Sequence, residues 1–171
     1  MNKIYTIKKD KHSSGFNFGF TRRNIIRFNA ILFDSCLYDI KDNDDYDINK
    51  LFGFSTSYFH HKNSARIGWR CNASKQIELF AYAYVSGERY TTYLGIVDVN
   101  TDFECIIVDT ENEYLFNVRV SEFYENDIQN KVYNATIKKN KDWFIFHYHL
   151  FPYFGGNKTA PHTMKFLIDV F

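Results

Sequence analysis

The chain has 171 residues with Lys+Arg 21 against Asp+Glu 20, a net charge of +1, so nothing in its charge argues for a nucleic-acid or anionic-membrane partner. Its composition is 19% aromatic, with 18 Phe and 13 Tyr, which favours strands and recognition surfaces, and A/T-rich codons account for part of that bias. No apolar run approaches membrane-spanning length, and the opening MNKIYTIKKDKHSS lacks an apolar signal core, so synthesis in the cytoplasm with free thiols at Cys36, Cys71 and Cys105 is expected.

Taken in chain order, the sequence reads as short strands with period-2 alternation. The first are Ile4–Ile7 and Ile25–Phe33. An irregular acidic loop, DSCLYDIKDNDDYDINK, follows; its run Asp42 to Asp47 lacks the glycine and the distal Glu of an EF-hand, so no metal is expected there. The stretch GFSTSYFHHKNSARIGWR crowds His60, His61, Asn63, Ser64 and Arg66 ahead of Trp69. It is either a solvated loop or a polar loop feeding a sheet face, with Arg66 and Arg70 on one side of the strand Ala65–Cys71. Two adjacent His cannot point the same way along a strand, so the pair is poor metal geometry without a third ligand.

From Gln76 to Val85 the odd positions Ile77, Leu79, Ala81, Ala83 and Val85 form a core face. The even positions place Phe80, Tyr82 and Tyr84 on a wetter one. Further strands are expected at Tyr90–Val99, Phe103–Val108, Tyr114–Val120, Val132–Ile137 and Trp143–Tyr148, with a short helix around Ser121–Ile128. The last segment predicts a hairpin: an aromatic strand His149–Phe154, a loop Gly155–His162 stiffened at its edges by Pro152 and Pro161, and a strand Met164–Phe171. Tyr153, Asn157 and His162 stand in or beside that loop, shaped for a ligand or for packing. The matches to the glycosylation pattern at Asn72, Asn134 and Asn157 are chance in an Asn-rich chain. No phosphate loop, CxxC pair or Gly-x-Ser-x-Gly elbow occurs. Ten or so short strands predict an all-β fold over residues 1–171 as one domain, an antiparallel two-sheet sandwich or jelly roll with the first and last strands paired.

The segments DINKLFGFS, HHKNSARIGWR, IELFAYAYVSGER and PYFGGNKTAPH, in this order, resemble small proteins of Bacteroidetes and their phages that look like concanavalin A-like (lectin/glucanase-type) β-sandwiches. The resemblance implies a curved sheet with a sugar-binding face, which Phe80, Tyr82 and Tyr84 would suit. Glucanases of this architecture carry Glu-x-Asp-x-Glu on one strand, and no such run exists here. Alginate-lyase-like enzymes combine an Arg strand, a Gln-Ile-His triplet and a Tyr-Phe-Lys-Ala-Gly stretch. This chain offers Arg66 and Arg70, Gln76-Ile77-Glu78 and Tyr153-Phe154-Gly155-Gly156, so Glu78 replaces the His and the Lys is missing. These departures predict a non-catalytic protein without cofactor or metal. The resemblance suggests a phage virion decoration module that is assembled in the host cytoplasm and contacts other virion proteins or its own copies. A free lectin-like module that binds a glycan, or a polysaccharide lyase, is the alternative. Neither nucleic acid nor membrane is expected as a partner.

Overall fold

The structure is a computed structural model that describes residues 2–21, 24–39, 47–124, 127–140 and 147–171. Among the described residues the alternating segments form twelve strands: β1 (Asn2–Ile7), β2 (Phe20–Thr21), β3 (Ile25–Leu32), β4 (Asn49–Ser55), β5 (Ser64–Cys71), β6 (Ile77–Val85), β7 (Glu88–Val97), β8 (Phe103–Asp109), β9 (Glu113–Tyr124), β10 (Asp127–Lys138), β11 (His147–Leu150) and β12 (Met164–Val170). A single 3-10 turn, Asp34–Cys36, interrupts them. They make two six-stranded sheets, ordered β1-β12-β3-β8-β9-β10 and β2-β11-β4-β5-β6-β7. Pairing within both is antiparallel.

The all-β sandwich expected from the alternation is the observed fold. Side chains alternate across each strand, so one face of each sheet meets the other sheet and buries its apolar set. In β5 and β6 the inward residues are Ala65, Ile67, Trp69, Leu79, Ala81 and Ala83, all at 0% exposure. Aromatic contacts fill the space between the sheets. The Phe28 ring meets Phe52 at 5.1 Å, Trp69 meets Phe166 at 5.6 Å, and Phe54 meets Tyr114 at 6.3 Å. Cys36, Cys71 and Cys105 lie buried as free thiols.

The sequence reading missed two strands, the two-residue β2 and the longer β4. The latter lies in the middle of the second sheet, buried on both faces, so its residues do not alternate in polarity, and a register shift between Lys50 and Phe52 breaks the period further. The helix expected at Ser121–Ile128 is absent. The segment's described residues 121–124 and 127–128 belong to the β9–β10 ladder, with Ser121 opposite Asn130 and Glu122 opposite Gln129, and a helix would strand those backbone groups. Residues 143–146 of the expected strand and residues 42–46 of the acidic run lie outside the described residues.

The closing hairpin is also corrected. β11 pairs with β2 and β4 in one sheet, whereas β12 pairs with β1 and β3 in the other. The proline-edged segment is therefore a crossing between sheets. Tyr153 bridges both Lys50 and Ser13, Pro152 accepts the Ser14 N–H at 3.2 Å, and Ala160 exchanges bonds with Asp10 and Lys11. Its aromatic strand ends at Leu150, and Tyr153 joins only through these isolated bridges.

Gly53 sits where β4 passes closest to β5. A Cβ there would lie 2.6 Å from the Arg66 Cα, a contact that only backbone movement relieves. Gly53→Ala should destabilise the fold by roughly 1–3 kcal/mol, the usual range for overpacking. Denaturant titration measures it, and an unchanged midpoint would show that the two strands are less tightly apposed.

Candidate functional site

The outer face of the second sheet is built by the same alternation that makes the core. Across β5 and β6 the outward residues oppose one another as Arg66 with Tyr82, Gly68 with Phe80, and Arg70 with Glu78. On the other side of β5, Gly53 opposes Arg66 and Lys50 opposes Gly68. Two small residues thus flank the long cationic side chains.

Arg66 is the centre of this face. It is only 6% exposed, and its Nε donor has no hydrogen-bond partner among the described residues. Burial pushes its pKa down, and the groups acting against that are four phenols: Tyr82, Tyr84, Tyr148 and Tyr153. No carboxylate is among them. A guanidinium holds its proton under essentially all conditions, so burying one without an anion is costly.

A second cation stands beside it. The Lys50 ammonium lies 5.0 Å from the Tyr82 ring centroid and 5.9 Å from that of Tyr153. Burial first, and then the Arg66 charge, push its pKa down to about 8, with Asp47 pulling the other way. The glycine pair makes room for it. A Cβ on Gly155 would come within 2.9 Å of the Lys50 Nζ, and Gly156 takes φ +78, which favours glycine. The Gly155 N–H donates to Asn49 Oδ1 at 2.7 Å, fixing the crossing segment against β4.

The aromatic residues expected on this face are there, with a correction. Phe80 and Tyr82 are not a wet platform: they are 7% and 2% exposed, covered by the long side chains around them. The Arg70 guanidinium lies 5.0 Å over the Phe80 ring and donates from Nε to Glu78 at 2.9 Å. Arg70 is thereby held in an ion pair, whereas Arg66 has none among the described residues. The Tyr82 hydroxyl donates to that of Tyr84 at 3.5 Å, and burial raises the Tyr82 pKa, so it stays protonated. Tyr153 is 39% exposed and stacks on His12 with centroids 5.3 Å apart.

His60 and His61 occupy a turn, which lets their rings touch at 4.2 Å in a way a strand would forbid. His61 packs edge-on against Tyr84 at 5.0 Å. Burial and then Arg66 push His60 down to about 4 and lower His61 as well, so both rings are neutral at pH 7. Among the described residues no group of three or more His, Cys, Asp or Glu has the arrangement of a metal site.

Three expected contacts fall elsewhere. Asn63 braces its turn, accepting the Ser86 N–H on Oδ1 at 2.7 Å. His162 Nε2 bonds the Ser35 carbonyl at 2.9 Å, pinning the 3-10 turn, and Asn157 is exposed on the crossing segment. The sequence reading missed Lys50, Tyr148 and His12. The signal for Lys50 was a lone cation inside the apolar run NKLFGF, legible only once that run is recognised as a strand.

No family model matches the chain, and no curated protein matches it in sequence. Solved structures do resemble it. An alginate lyase from Klebsiella pneumoniae superposes with a TM-score of 0.62 at 7% identity, covering 86% of this chain and 58% of its own. The alginate lyase Aly36B gives 0.53 at 11% identity, covering 99% and 78%. The xyloglucan-locus protein GH43B of Bacteroides ovatus gives 0.52 at 10% identity, covering 86% and 27%. At such identities the likeness shows the sandwich fold alone, and this chain spans well under two thirds of the Klebsiella enzyme.

The stranded amine leaves a thermodynamic signature. In the unfolded chain Lys50 takes its ordinary pKa of 10.5, and in the folded protein about 8. Between those values the unfolded state holds more protons, so stability rises with pH across that window, and the penalty is fully present below about pH 8. Lys50→Met should therefore raise the melting temperature at pH 7, with the gain closing as pH nears 10.5. A variant less stable than the parent at pH 7 would show that the ammonium is well paired.

Proposed function

We propose that this face binds a uronate-bearing glycan and cleaves it by β-elimination, as a polysaccharide lyase. The observation that carries the reading is the buried Arg66 guanidinium with an unfilled donor and, among the described residues, no carboxylate acting on it. A sugar carboxylate supplies the missing anion through charge-assisted hydrogen bonds. Neutralised in that way, the carboxylate makes the neighbouring C5–H acidic enough to remove.

The remaining roles follow from position. Lys50, with a pKa near 8, has about a tenth of its amines neutral at pH 7 and so serves as a general base close to the working pH. It takes the C5 proton; the electron pair forms the C4–C5 double bond as the C4–O bond breaks. Tyr153, exposed and facing Lys50, gives its proton to the departing oxygen. Proton return from the lysine to the tyrosine through solvent resets both groups. Arg66 carries the negative charge that builds on the carboxylate in the transition state. Glu78 stands where a lyase of the resembling kind has its His, but its bond to Arg70 removes it from proton transfer. The base in this reading comes from β4 instead. The fold shared with alginate lyase structures is compatible with this chemistry.

A second reading keeps the binding and omits the reaction: a glycan-recognising module, in the phage-particle setting that the sequence resemblance suggests. The Arg70–Glu78 pair favours it, because that pair fills the neighbouring position with a structural contact rather than a reactive group. An assembly face that packs on another subunit draws less support, since Phe80 and Tyr82 are already covered within the chain.

Incubation with polyuronates of different linkage, followed by the ultraviolet absorbance of the unsaturated product, tests the reaction. Turnover should rise with pH towards about 8 as Lys50 loses its proton. It should fall by at least 100-fold in Arg66→Met and Lys50→Ala, in line with the loss of a charge-stabilising donor or a general base. Binding that depends on Arg66 without any elimination would select the recognition module. Absence of both would remove each reading.

A further inference from the structure

We infer that the turn after β4 carries a second sugar-binding surface, an aromatic ledge of Tyr58 and Phe59 that holds a further residue of the same glycan beside the unit on Arg66. This rests on the acidic-glycan reading of the Arg66 face. Tyr58 is 79% exposed and Phe59 70%, with their rings edge-on at 5.3 Å.

These rings do not sit on a loose loop tip. The single Ser55 Oγ–H is shared between the Ser57 and Asn63 carbonyls, 2.8 and 2.9 Å away, and Ser57 Oγ donates to the Phe59 carbonyl at 2.6 Å. The Lys62 N–H closes the turn on the same Phe59 carbonyl at 2.8 Å, and the Gly87 N–H ties Lys62 to the β6–β7 connection at 3.0 Å. A turn braced this heavily fixes the backbone that presents the two exposed rings, which disfavours their hiding by rearrangement of the turn and pre-organises it for a ligand.

The ledge is continuous with the Arg66 face. The Tyr148 hydroxyl, one of the four around Arg66, donates to the Tyr58 carbonyl at 3.3 Å. His60 and His61 follow directly in the chain, with His61 against Tyr84. Both imidazoles are neutral at pH 7, so neither puts a charge between the ledge and Arg66. A uronate chain offers two chemistries, a carboxylate and the C–H face of the ring. Arg66 takes the first, and Tyr58 and Phe59 take the second. The consequence is selection for length: only an oligomer that reaches from Arg66 to the turn gains the stacking contact.

The test compares KM for purified uronate oligomers of increasing length in the parent, Phe59→Leu, Phe59→Tyr and Tyr58→Ala, with melting temperatures as the control for folding. In the parent, KM should drop as the oligomer becomes long enough to reach the turn. Phe59→Leu and Tyr58→Ala should each shrink that drop about three- to tenfold, the scale of one aromatic contact. Phe59→Tyr, which keeps a ring, should retain it. A KM independent of length in an active parent, or a drop that survives both ring removals, overturns the ledge alone. A parent that neither cleaves nor binds any uronate oligomer overturns the Arg66 reading and the ledge with it.

Discussion

Ring contacts between the sheets set everything else. Phe28 against Phe52 and Trp69 against Phe166 fix which side of β4 and β5 faces inward. Because the side-chain period is two, a slip of one residue would exchange the two sides completely. With Ile67 and Trp69 committed to the core, Arg66, Gly68 and Arg70 have no place but the outer face. The site is thus a consequence of the core rather than an addition to it.

That outer face is arranged against its own stability. Arg66 and Lys50 are neighbouring cations, and among the described residues the groups that act to keep them charged are four tyrosines around Arg66 and one acid, Asp47, beside Lys50. Nearby, Arg70 and Glu78 show what a chain does when it only needs to close a sheet: the charges meet across adjacent strands. The contrast between two arginines on one strand, only one of them paired among the described residues, is the kind of local violation that proteins keep at functional positions. A bound anion would relieve the repulsion that the folded chain leaves standing.

Much of the sandwich was legible from alternation alone, because strands such as β6 set aliphatic and small residues on one side against Glu78 and aromatic rings on the other in strict order. The readings that failed share a cause. β4 is buried on both sides and bulged at Leu51, so its pattern carries no period. Ser121–Ile128 is mixed in polarity and reads as a short helix, yet the pairing of its described residues with the facing strand decides the outcome. His149–Phe154 and Met164–Phe171 look like one hairpin in sequence, and only the separation of β11 and β12 into different sheets shows otherwise. Arg66, Tyr82 and Tyr153 were within reach because they lie on readable strands or beside the glycine pair. Lys50 was not, since its role depends on a register that no local pattern encodes. Nor did the sequence show that Tyr82 is covered: alternation assigns a residue to a face, while burial depends on what crosses above it.

The order of strands has a bearing on how the molecule forms. β4, β5, β6 and β7 are neighbours both in the chain and in the sheet, a meander whose contacts close short loops. The other sheet depends on distant partners, with β12 wedged between β1 and β3, so Asn2 pairs with Asp169 and Phe28 with Val170. Contacts of such separation raise the contact order and slow folding, because chain closure must precede the reward. During synthesis the meander is complete long before β12 emerges, and its inner apolar face then waits for a partner sheet that the last residues must finish. The strands bearing Arg66 and Lys50 thus belong to the locally paired part of the fold, whereas the opposite sheet needs β12 before β1 and β3 are joined.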